Sequence, residues 1–115
     1  MNKQVLWMPH AGHFILGRNC GFRLNTYVNG FIVSTVGELR HSGDREDDPD
    51  RPLGAGKDSL YETMVFKAKK SRQKCCPYQQ VDGTALDSTR YKTAEAATVG
   101  HHKLLAKWGR MKAAS

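Results

Sequence analysis

The side chains in this sequence that could do chemistry are thiols, imidazoles and clustered cations. The stretch "SRQKCCPYQQ", Ser71 to Gln80, sets Cys75 beside Cys76 behind a run of bases, and Cys20 is the third cysteine. His10, His13 and His101 are the imidazoles to weigh with them. A structural zinc needs four convergent ligands, usually grouped as Cys-x(2–4)-Cys or His-x(3–5)-His. The chain offers only "HAGH" ahead of Cys20 and an adjacent doublet. Neighbouring side chains diverge in an extended segment, so the doublet supplies one ligand. Zinc would then draw on Cys20, Cys75 or Cys76, and His101, completed by His10 or His13. The preferred expectation is plainer: no cofactor, one doublet cysteine and Cys20 as small buried apolar residues, and His101 as a hydrogen-bonded core histidine. Cys75 and Cys76 are then expected to point in different directions, with at most one near His101. Dithiol redox chemistry needs Cys-x-x-Cys at a helix start, which is absent; Lys74 beside the doublet would make a thiol more reactive, not catalytic.

Catalytic constellations fail on the same inspection. Ser34, Ser42 and Ser59 lack a Gly-x-Ser-x-Gly turn, and no carboxylate pair falls at an expected core position. "GAGK", Gly54 to Lys57, suggests a phosphate loop, but that motif requires Ser or Thr after the lysine and glycine at position 51. Asp58 and Arg51 stand there. The chain is therefore not expected to be an enzyme.

Cations remain. The formal net charge of +7 is unevenly spread. Residues 1–43 carry four Lys/Arg against one acid, residues 44–62 three against seven, and residues 63–115 eleven against three. "KAKKSRQK" contributes Lys67, Lys69, Lys70, Arg72 and Lys74, with Tyr78 close by, and the C-terminal segment adds Lys103, Lys107 and Arg110. Clustered bases with an aromatic neighbour are the electrostatic footprint of phosphate binding. A solvated charged face is the competing reading.

These residues must be held by something, and 115 residues make one domain, 1–115, with a modest core. The sequence predicts an α+β fold: a three- or four-stranded antiparallel sheet with a C-terminal amphipathic helix packed on one face. In "FRLNTYVNGFIVSTVGE" the dipeptide Asn29-Gly30 tolerates the two positive φ angles of a type I′ turn. A two-residue turn sets Val28 opposite Phe31, Thr26 opposite Val33 and Leu24 opposite Thr35. Phe22 shares that side, while Arg23, Asn25, Tyr27, Ile32, Ser34, Val36 and Glu38 form a mixed opposite side. "LYETMVFKA" reads as a third strand and Phe14 to Leu16 as a short fourth. Between them "DREDDPDRPLGAGKDS" is acidic and nearly free of apolar residues, so about 41–58 is expected to be a mobile loop. Thr93 is the expected N-cap of the final helix, with Ala94, Ala97, His101, Leu104, Leu105, Trp108 and Met111 along one arc and Lys103, Lys107 and Arg110 opposite. Gly100 interrupts it, for close approach to another element or for fraying. The expected core is Phe22, Leu24, Val28, Phe31, Val33, Met64, Phe66, Leu104 and Trp108. A homodimer could cover an open sheet face.

The stretches "LWMPHAGHFI", "CGFRLNTYVNGFIVSTVGE", "YETMVFKAKKS" and "EAATVGHHKLLAKWG" resemble small uncharacterised proteins encoded in bacteriophages and prophages, in which a similar hairpin, strand and terminal helix recur. The resemblance covers most of the chain outside the acidic segment. It implies a viral protein acting in the bacterial host cytoplasm by binding nucleic acid or a host protein or nucleoprotein, with anti-CRISPR inhibition as one variant. With no secretory signal and no run long enough to span a bilayer, no membrane partner is expected. Three functions are thus expected in order: a nucleic-acid or nucleoprotein binder, a stoichiometric inhibitor of a host protein, and a zinc-stabilised small protein.

Overall fold

A computed structural model describes residues 5–9, 20–39 and 60–111, apart from the side chains of Cys20 and Leu39. The expected strand at Phe14 to Leu16 and the acidic loop at 41–58 lie outside these. The architecture is α+β, a curled antiparallel sheet with one C-terminal helix packed on it. It carries more strands than the three or four expected: β1 (Val5–Met8), β2 (Cys20–Val28), β3 (Phe31–Leu39), β4 (Tyr61–Lys70), β5 (Tyr78–Gln80) and β6 (Asp87–Tyr91). The order is β1-β2-β3-β4-β5, and β6 also pairs with β4. Strand β4 is long enough to serve both: β6 lies along Tyr61 to Val65, and β5 along Ala68 to Lys70.

The central hairpin forms as its turn chemistry dictates. Asn29 has φ 54° and Gly30 φ 88°, the two left-handed residues of a type I′ turn. The register follows, with Val28 on Phe31, Thr26 on Val33 and Leu24 on Thr35. Strand β4 joins by pairing Phe31 with Lys67, Ile32 with Phe66 and Val33 with Val65.

That register corrects the expected core. Because successive side chains point to opposite faces, Val65 and Thr63 join Val33 and Thr35, whereas Met64 and Phe66 fall on the other face with Ser34 and Ile32. "LYETMVFKA" is apolar on both sides, so only the pairing partner decides which side meets the helix. Both faces are in fact buried, and β3 is buried from Phe31 through Gly37 without alternation. Val28, Phe31, Val33 and Val65 pack under Leu104, Leu105 and Trp108. On the reverse face Met8, Ile32, Phe66 and Cys76 form a second cluster, flanked by Tyr27, Met64 and Tyr78.

The helix α1 (Ala94–Gly109) starts at Thr93, whose Oγ1 accepts from the Ala96 N–H at 3.1 Å. It turns back antiparallel to β6, from Gly100 beside Tyr91 to Trp108 beside Asp87. Gly100 is a point of close approach: a Cβ there would overlap the Tyr91 ring. At the other end, the Asn29 amide donates to the carbonyls of Trp108 and Met111, so the hairpin turn caps the helix C-terminus. Met111, expected on the apolar arc, lies past the helix and is exposed.

Candidate nucleic-acid interface

The structure separates the Cys76 thiol from the His101 imidazole. His101 is 0 % exposed between the helix and the sheet. Its Nε2 lies 2.9 Å from Thr26 Oγ1 and its Nδ1 2.7 Å from Thr35 Oγ1, which in turn bonds Thr63 Oγ1. One ring nitrogen donates and the other accepts, and the hydroxyls rotate to suit, so a neutral imidazole is fully satisfied. Burial, with His102 adding repulsion, pushes the His101 pKa down to about 4. The outer side of the ring meets Trp7, centroids 5.3 Å apart.

Cys76 packs on the reverse face with Ile32 and Phe66, so it does not converge with His101. Among the described residues no group of three His, Cys, Asp or Glu is placed to hold a metal, and Cys20 contributes only its backbone to that description. The doublet itself departs from expectation. Cys75 is exposed and Cys76 buried, yet their sulfurs lie 3.0 Å apart instead of diverging. The segment between β4 and β5 is a tight return, closed by the Ser71 N–H to Pro77 O bond, and is not extended.

All eight basic residues expected to bind a partner are exposed, and the topology gathers most of them at one end. Strand β4 runs past the hairpin turn: Lys67 pairs with Phe31, the first residue of β3, and Ala68 to Lys70 continue along β5. The helix C-terminus is fixed at that same turn by Asn29. Lys67 and Lys69 alternate with Val65 onto the helix side, near the end where Arg110 emerges. Lys70 projects to the reverse side with its pairing partner Tyr78, and Arg72 and Lys74 follow in the return loop.

Two cations depart from this picture. Lys107, expected to project freely from the outer face, donates to Asp87 Oδ2 at 2.9 Å while its side chain remains 55 % exposed. Trp108 Nε1 donates to the same oxygen at 3.1 Å. These donors, Lys107 first, hold the Asp87 carboxyl below the usual range against a smaller opposing effect of burial. Lys103 lies farther back, beside Thr89, Tyr91 and Val99.

Sequence reasoning missed an aromatic platform at this end. Tyr27 and Tyr78 stack at 3.6 Å between centroids with planes 8° apart, both half-buried. Desolvation, then the neighbouring Tyr78, raises the Tyr27 pKa. The rings are 51 positions apart in the chain, and only the β4–β5 pairing brings Tyr78 over β2. Lys70 flanks the stack through its pairing with Tyr78. A cation beside stacked rings suits phosphate and base contacts together.

No helix among the described residues is long and apolar enough to cross a membrane. No family model, curated protein or solved structure matches the chain.

Proposed function

We propose that this chain is a small phage-type accessory protein that binds nucleic acid, free or within a host nucleoprotein, through the basic end of its sheet. The observation that carries the reading is the overhang of β4 past the Asn29-Gly30 turn. It brings Lys67, Lys69 and Lys70 to the end where the helix delivers Arg110. The four lie on two elements packed against one core, so their spacing is set before binding. On the reverse side of the sheet, the Tyr27–Tyr78 stack adds an aromatic surface beside Lys70. The phage setting rests on the resemblance of the four core stretches named above.

No pocket chemistry is invoked, and binding is electrostatic first and sequence-tolerant. The competing reading, a stoichiometric inhibitor of a host protein, rests on the acidic segment at 41–58, outside the described geometry. Binding of a labelled duplex and a labelled single strand by K67E/K69E/K70E separates the two. The expected result is loss of affinity for both, across all sequences, with an unchanged circular dichroism spectrum. Unaltered affinity, or retention on a host protein from nuclease-treated lysate that survives the triple substitution, would move the assignment to the inhibitor.

A further inference from the structure

Alongside the helix, away from the basic end, lies a groove of about 700 Å³ between α1 and β6. Its walls include Thr89 and Tyr91 from β6 and Glu95, Ala96, Val99 and Lys103 from the helix. β6 pairs only with β4 among the described strands, so none of those strands lies beside its outer backbone groups. Val99 is the most exposed large apolar residue described, at 54 %. Glu95 precedes it by four residues and Lys103 follows by four, about 6 Å of helix rise on each side. Among the described residues neither Glu95 nor Lys103 has an ion-pair partner.

An apolar centre flanked at equal spacing by opposite charges selects a ligand that reads apolar in the middle with the charges in reverse order. The same helix face supplies that order when turned by 180°. We propose that this groove is a homodimer interface, in which a second copy lays its α1 antiparallel across it on a twofold axis near Val99. Glu95 of each copy then meets Lys103 of the other, Val99 meets Val99, and Ala96 is small enough to let the helices approach. Such an interface is isologous, so one patch serves both partners. The exposed ion pairs contribute little affinity on their own; they fix orientation, and the apolar centre holds the pair together. The interface lies beside the helix, and the basic end of each copy stays open. The inference is independent of what that end binds.

Charge exchange tests it without nucleic acid. By sedimentation equilibrium over about 1 µM to 1 mM chain, the wild type should approach twice the 12.9 kDa of one chain. E95K and K103E should each weaken self-association at least about tenfold, the discrimination of one ion pair set against one repulsion at each end. Mixed one to one, the two variants should form a heterodimer, and E95K/K103E in one chain should restore the homodimer. Circular dichroism of each variant confirms that the helix is intact, and V99D, which alters no ion pair, should also give monomer. A monomeric wild type throughout the range, or single reversals that associate as the wild type does, would overturn the proposal. So would a mixture that fails to recover the dimer.

Discussion

Burial of His101 makes folding sensitive to acid in a definite window. Its folded-state pKa of about 4 lies below the ordinary 6.5. The stabilisation is therefore complete above pH 6.5, and it falls away as the pH drops towards 4, because only the unfolded chain then takes the proton. The size is on the order of 3 kcal/mol, from 1.36 kcal/mol per pKa unit. Urea unfolding at pH 7.5, 5.5 and 4 should show that loss, and His101→Gln should flatten the slope while lowering stability at pH 7.5. A wild type equally stable at pH 7.5 and 4.5 would mean that the ring is not desolvated. Asp87 acts lower on the scale. Its depressed pKa contributes stability that is present above the ordinary 3.8 and lost below it, so the two residues do not share a window. The inward direction of His101 was legible from helical periodicity, but its partners were not, because Thr26, Thr35 and Thr63 read as ordinary strand residues until three strands align. The pairing of Lys107 with Asp87 was hidden for a similar reason: "DSTRY" has no apolar rhythm to mark it as a strand.

Turn and cap chemistry carried the elements that could be read. Asn29-Gly30 fixed a register that holds pair by pair, and Thr93 fixed the start of α1, because each demands particular backbone angles or a particular hydrogen bond. The strands that escaped are short: four residues in β1, three in β5 and five in β6, the last polar because most of it faces solvent. Segments of that length are strands only because β2 and β4 offer them an edge. The helix–sheet contact makes a test in which local propensity and packing oppose each other. In an open helix Gly100→Ala would stabilise by up to about 1 kcal/mol. Here the added methyl meets the Tyr91 ring, and overpacking costs typically about 1 to 3 kcal/mol. Thermal unfolding should therefore show a lower Tm for Gly100→Ala, recovered by adding Tyr91→Ala. A raised Tm in the single variant would mean that α1 stands off β6.

As a whole molecule the protein is elongated, 46 × 27 × 21 Å, with its basic overhang beyond the hairpin turn. The sequence-level charge count could not tell which basic residues the fold ties up and which it gathers. Lys107 is held by Asp87, Lys103 lies in the groove, and Lys67, Lys69, Lys70 and Arg110 remain at one end. That grouping is the central claim, and salt dependence tests it most directly. Four phosphate contacts to a duplex release counterions so that log affinity falls against log salt with a slope near −3.6, about 0.9 per contact. Arg110→Ala should reduce the slope by about 1, whereas Lys107→Ala should leave it nearly unchanged. Fluorescence anisotropy of a labelled duplex from about 50 to 200 mM salt reads both. A slope near −3.6 that falls by one contact in Arg110→Ala is the predicted result; a slope indistinguishable from zero, or no binding at the lowest salt, would contradict it.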